Sequence, residues 1–148
     1  MNRRDFITTT GAAAALFLAQ AAQAEEKPMD HSGHHHPTPP NMALVQSAAN
    51  CLVTGQVCLQ HCMMLLSMGD TSLVECAKSV SDMLAVCTAL QQLAVAKSPH
   101  LAAMAKVAAD VCDACEKECR KHEAKHLQCK ACADACKACS IECRKITA

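Results

Sequence analysis

The stretch CDACEKECRKHEAKHLQCKACADACKACSIEC, residues 112–143, decides the fold. Its second half places Cys129, Cys132, Cys136, Cys139 and Cys143 at steps of 3, 4, 3 and 4. That is the spacing of the a and d positions of a helical seam. On a helix turning about 100° per residue, the five share an arc of roughly 80°. Ile146 continues the series. The first half repeats the theme, with Cys112, Cys115 and Cys119 at steps of 3 and 4.

The same pattern extends toward the N-terminus. Cys51, Cys58 and Cys62 step by 7 and 4, and Cys76 and Cys87 lie 11 apart with Val80 and Met83 filling the positions between them. From Asn41 onward the chain is rich in Ala, Leu, Lys, Glu, Gln and Met, which are good helix formers. Breakers separate the runs. Gly69 suits a helix C-terminus, and Asp70 or Thr71 the next N-cap. Ser98 suits an N-cap and Pro99 a first helical turn. A third boundary falls within residues 121–127, without Gly or Pro. The spacing predicts four helices, near 42–68, 71–97, 99–121 and 127–146. Short connections force neighbours to run antiparallel. The fold expected is an all-α, antiparallel, up-down-up-down four-helix bundle with a cysteine-lined core.

Composition sharpens this. The 148 residues include 13 Cys, 8 Met and 8 His, no Trp, no Tyr and two Phe. Lys plus Arg is 14 and Asp plus Glu is 14, so there is no electrostatic footprint for nucleic acid. The length suits one domain. Aromatic rings usually supply core bulk; here the surplus residue is cysteine.

The chain opens MNRRDFITTTGAAAALFLAQAAQA. Arg3-Arg4, an uncharged stretch from Gly11 to Ala19 and the small-x-small Ala22-Gln23-Ala24 form the three parts of an export signal. The arginine pair followed by Asp-Phe-Ile resembles a twin-arginine signal; the other reading is a plain secretory signal. The expected division is a signal over 1–24, a disordered leader over 25–40 and a bundle over 41–148. Both Phe residues, Phe6 and Phe17, lie in the signal. A segment this short and early is not a membrane span of the mature protein. The leader holds four of the five prolines and His31, His34, His35 and His36. It is either a weak metal-capture tail or a solvated one.

Stripes of cysteine on four helices admit three chemistries. Free Cys packs as a small hydrophobe, but five in succession on one face exceed what packing needs. Disulfides fit an exported protein, yet 13 is odd, and bridges three or four residues apart close loops too short to stabilise much. Thiolates are soft ligands for Cu(I), Zn(II) or iron–sulfur clusters. Buried thiolates are costly without compensation. One Cu(I) per thiolate leaves the core near neutral, whereas a Zn(II) Cys₄ site keeps two negative charges and needs ligands converging from separate places. The repeated element is a pair four apart: Cys58–Cys62, Cys115–Cys119, Cys132–Cys136 and Cys139–Cys143. Their Cβ atoms lie about 5–6 Å apart, which serves low-coordinate Cu(I) better. Zinc or mixed-metal sequestration is the alternative in the same class. A disulfide-stabilised exported helical protein is the alternative in another. No Ser/His/Asp set or phosphate-binding glycine loop is visible, and an enzyme is not expected.

With CLVTGQVCLQHCMMLLSM, residues 51–68, added to the opening stretch, the chain resembles the exported members of the copper storage protein family across residues 41–146. The resemblance implies a homotetramer of four-helix bundles, each holding many Cu(I) ions on its cysteines. It implies a bacterial, periplasmic store that exchanges copper with unidentified donor and acceptor proteins. It also implies a mouth of His and Met at one bundle end, which His61 and Met68 match. Leu65 and Leu73 stand where the family can have Met, and Met64 could partly substitute. His122 and His126 either line one bundle end as secondary ligands or sit as solvated loop residues. Met83 is read as core filler.

Overall fold

The computed structural model describes residues 40–147. The signal over 1–24, nearly all of the leader over 25–40 and Ala148 lie outside the described residues. Four helices follow in order: α1 (Met42–Ser67), α2 (Val74–Val95), α3 (Leu101–Arg120) and α4 (Leu127–Thr147). A 3₁₀ turn, Thr71–Leu73, leads into α2. Each helix packs against its chain neighbours, and α4 closes the ring against α1. This is the expected antiparallel four-helix bundle.

The seam of α1 runs Leu44, Ala48, Cys51, Gly55, Cys58 and Cys62, all buried. These steps alternate 4 and 3, so the stripe stays on one side over five turns. Gly55 has a specific role there. A methyl group at its α-carbon would lie 2.4 Å from Met83 Cε and 3.0 Å from Leu84 Cδ2. Met83 is fully buried and fills the core opposite Gly55, as a filler should.

The boundaries differ from the sequence reading in instructive ways. α1 ends on a Schellman motif: Asp70 N–H donates to Leu65 O at 3.1 Å and Gly69 N–H to Leu66 O at 3.0 Å. Gly69 takes φ 88° as that motif requires. Asp70 is the cap, its Oδ1 accepting from Ser72 N–H at 2.9 Å. That interaction holds its carboxyl below its ordinary pKa. The residues after it form a 3₁₀ turn, so α2 itself begins at Val74 rather than 71. α2 ends on the same motif, with Ser98 N–H bonded to Leu93 O at 3.0 Å and Lys97 N–H to Ala94 O at 3.3 Å. Here the left-handed position is Lys97, φ 52°, which explains why no glycine marked the boundary. Ser98 Oγ accepts from His100 N–H at 3.2 Å, so Pro99 sits in the turn and α3 starts two residues later than expected. Because a left-handed non-glycine residue costs about 1–2 kcal/mol, Lys97→Gly should raise stability by about 1 kcal/mol. Urea unfolding of the reduced protein reads this as a higher midpoint at unchanged slope.

The turn within 121–126 needs neither Gly nor Pro because it keeps helix-like bonding, with His122 N–H to Cys119 O and His126 N–H to His122 O, each at 3.0 Å. Ion pairs brace it. Arg120 reaches Glu116 at 3.1 Å, Glu123 at 2.8 Å and, across to α4, Asp134 at 2.7 Å. Farther down, Arg144 of α4 pairs with Asp113 of α3.

Antiparallel order puts the start of α1 and α3 at the same end as the finish of α2 and α4. That end is filled by buried Leu44, Leu90, Ala94, Leu101 and Ala105, with Ile146 packed against them. Cys143, three residues before Ile146 on α4, is the thiol nearest that end. The opposite end carries His61, His122 and His126, all half-buried. α1 is long and apolar enough to cross a membrane by length and composition; its buried seam is committed to the bundle core.

Candidate metal centre

All thirteen cysteines are free and buried. The a and d stripes on the four helices face one another, and this creates the centre. The shortest contacts run between helices. Cys76 and Cys119 sulfurs are 3.6 Å apart, Cys58 and Cys129 3.8 Å, Cys87 and Cys112 3.8 Å, and Cys115 and Cys132 4.0 Å. One contact along a helix matches them, Cys115 to Cys119 at 4.0 Å.

The thiols group in levels, each with its sulfurs within 4.8 Å of one another. The upper level is Cys58, Cys62, Cys76 and Cys129. Two three-thiol groups follow: Cys58, Cys119 and Cys132, then Cys115, Cys132 and Cys136. The lower level is Cys51, Cys87, Cys112 and Cys139, with one residue from each helix. Cys58 and Cys132 each belong to two groups, so the upper three groups form an unbroken chain of sulfurs. Cys143 stands outside them, beyond Cys139.

Two of the pairs four apart share a level, Cys58–Cys62 and Cys132–Cys136, and a third, Cys115–Cys119, is in contact across two of them. Every level also draws sulfurs from more than one helix, and of the pair Cys139–Cys143 only Cys139 joins one. Register between helices, which spacing along one helix does not report, decides this. The same fact removes one argument against Zn(II), because four thiols do converge from separate helices. The argument from charge stands, since among the described residues no Lys or Arg is buried.

Electrostatically, each level behaves as a set. Neighbouring thiols share S–H bonds, which lower some sulfurs and raise others. Donation led by Cys136 pulls Cys112 down to about 5. Cys119 lowers Cys76, Cys115 lowers Cys132 and Cys112 lowers Cys139. The donors rise in turn: Cys87 and Cys136 through Cys112, and Cys119 through Cys115. A metal-free core thus shares its protons unevenly between neighbouring sulfurs. Soft cations would replace the remaining protons.

The mouth residues can be placed. His61 Nε2 lies 2.9 Å from His126 Nδ1, with ring centroids 4.9 Å apart. His122 and His126 centroids are 6.5 Å apart. His126 is thus brought to the bundle end beside His61, a contact across 65 positions that spacing could not reveal. Met64 and Met68 are exposed, at 51% and 75%. Leu73, read as a possible Met position, is fully buried and caps the core.

The family model for copper storage protein (Csp) matches residues 38–148. The chain belongs to the copper storage protein family. Solved structures of the family share its fold. Apo copper storage protein 3 from Bacillus subtilis has 27% identity and TM-score 0.64, covering 72% of this chain and 97% of its own. The Cu(I)-bound copper storage protein BsCsp3 has 27% identity and TM-score 0.63, with coverage of 72% and 96%. The copper storage protein Ccsp from Streptomyces lividans, loaded with 10 copper equivalents, has 24% identity and TM-score 0.66, with coverage of 76% and 92%. That last likeness concerns the fold alone. No curated protein matches the chain.

Proposed function

We propose that this copper storage family member holds many Cu(I) ions on the thiolates of its bundle core. The observation that carries the reading is the column of thirteen buried, free thiols, twelve of them arranged in levels, closed at one end by aliphatic side chains. Each Cu(I) that replaces a thiol proton leaves the net charge of the core unchanged. The column can therefore fill without accumulating buried charge. Ligands would be all thirteen cysteines. His61, with Met64 and Met68 nearby and His122 and His126 from the α3–α4 turn, would take ions at the open end and pass them to the Cys62 level. Ions would then move between sulfurs that are already neighbours.

The wider assignment follows the same reading. Residues 1–24 would direct export by the twin-arginine route to the periplasm, carrying a folded, reduced cargo. Residues 25–40 would form a His-rich leader and 41–148 the copper-binding domain. Four copies would assemble. The stored copper would supply copper enzymes, protect against excess copper, or both. The reading assigns no catalysis.

An anaerobic titration of the reduced protein against a chromophoric Cu(I) chelator tests it. The expected endpoint is roughly one Cu(I) per Cys, from the neutrality argument. A plateau at a few ions, matched by Zn(II), would assign zinc or mixed-metal sequestration instead. The apo protein should remain helical by circular dichroism, since its Ala, Leu, Val and Met still bury apolar area. Collapse on metal removal, as in zinc fingers, would contradict a store that empties and refills.

A further inference from the structure

We propose that the thioether of Met83 is a Cu(I) ligand in the middle of the thiol column, on the side where α1 and α2 present no thiol. The proposal rests on the storage reading and adds to it a ligand of a second kind.

The middle of the core is lopsided. Between Cys51 and Cys58 the buried seam of α1 offers only Gly55. Between Cys76 and Cys87 the seam of α2 offers Ala77, Val80 and Met83. Over the same depth α3 contributes Cys115, and α4 contributes Cys132 and Cys136. The group Cys115, Cys132 and Cys136 is accordingly drawn from α3 and α4 alone. Two sulfur contacts join α2 to α3, Cys76–Cys119 at 3.6 Å and Cys87–Cys112 at 3.8 Å. They bracket Met83 on one helix and Cys115 on the other. Met83 therefore stands in the stretch of the column that holds the Cys115 group.

Met83 spans this stretch rather than lining it. Its side chain is fully buried, and its methyl carbon lies 2.4 Å from where a β-carbon on Gly55 would sit. The side chain thus crosses the core from α2 to the backbone of α1. Its sulfur is one bond short of that methyl, so it lies inside the bundle. Glycine in a helix interior is unfavourable relative to alanine. At position 55 that penalty makes room for the end of Met83.

The chemistry of the side chain points the same way. An aliphatic residue here would set a hydrocarbon wall beside the Cys115 group. A thioether fills irregular space equally well, and it is a soft donor of the kind that selects Cu(I). It is also neutral. Where Cu(I) already balances the thiolates of a level, one more thiolate would leave a buried negative charge; a thioether adds coordination without adding charge. Among the described residues Met83 is the only buried methionine. Met63, Met64 and Met68 are exposed. The same Met83 side chain is filler in the empty bundle and ligand in the filled one.

X-ray absorption of the selenomethionine-labelled protein, reduced and loaded anaerobically with Cu(I), tests this. The form used carries Met63→Leu, Met64→Leu and Met68→Leu, which removes the exposed methionines of the bundle. Selenium-edge spectra should show copper as a bonded neighbour of selenium. Adding Met83→Leu, a swap of similar volume, should abolish that scattering, with helicity unchanged by circular dichroism. Copper-edge spectra of the same samples read cysteine ligation separately. Selenium without a copper neighbour, in a protein whose copper edge shows sulfur ligation, would overturn the proposal and leave the storage reading standing. Selenium–copper scattering that survives Met83→Leu would overturn it as well, by assigning the contact to another methionine. Copper without sulfur neighbours would overturn the storage reading, and the proposal with it.

Discussion

Replacing Cys132 by Ala should slow Cu(I) delivery to the lower level by on the order of a hundredfold. Cys132 is buried and belongs to two adjoining thiol groups, with Cys58 and Cys119 above it and Cys115 and Cys136 below. An ion moving from sulfur to sulfur uses it in both settings. Without it, the ion crosses one step with a missing partner in a dry core. Losing the partner of a buried charge costs about 3 kcal/mol, and that cost appears in the barrier. Capacity at equilibrium should fall by only about one ion. Stopped-flow absorbance of copper–thiolate charge transfer should therefore turn from one phase into two. Cys143→Ala, outside the levels, should leave the rate unchanged. Uptake by the Cys132→Ala protein as fast as the parent's would mean that ions do not travel along the sulfurs.

The second large effect is alkaline instability of the metal-free protein. Neighbouring thiols and burial hold Cys87, Cys119 and Cys136 far above the ordinary thiol pKa. Above about pH 8.5 the unfolded chain loses these protons while the fold keeps them. The folded state then binds more protons, so stability falls as pH rises. Each such thiol removes about 1.4 kcal/mol per pH unit. Three of them consume much of a typical domain's stability of about 5–15 kcal/mol within two units. Cys112, pulled down to about 5, acts in the opposite sense: its contribution is present above the unfolded thiol pKa and is lost as pH falls toward 5. The melting temperature of reduced apo protein should therefore drop steeply above pH 9. The copper-loaded protein should not follow, because its thiols have already exchanged their protons for metal. Equal alkaline sensitivity of the two forms would show that the thiols are not the ligands.

The bundle was legible in the sequence because its signal is one-dimensional. Cys129 to Cys143 step by 3 and 4 whatever packs against them, and Gly69 and Pro99 punctuate the runs near their true ends. Depth was legible for the same reason, since a stripe of thirteen cysteines on four helices has one place to go. The levels were not. Whether Cys139 lies opposite Cys112 or Cys115 depends on how the turns set the helices in register. The Schellman turn at Lys97 and the helix-like turn over 121–126 carry no residue that announces that register. The meeting of His61 with His126 depends on the second of those turns. Gly55 reads as a mere helix weakness until Met83 is seen against it.

The central claim is that Cu(I) sits on the thiols inside the bundle. Crystals of the reduced protein loaded anaerobically with Cu(I) test it directly through anomalous scattering at the copper edge. The account predicts a file of copper peaks along the bundle axis, from the Cys62 level to the level of Cys51, Cys87, Cys112 and Cys139, each within bonding distance of cysteine sulfur. Copper confined to the surface histidines, with no peak between the helices, would contradict it.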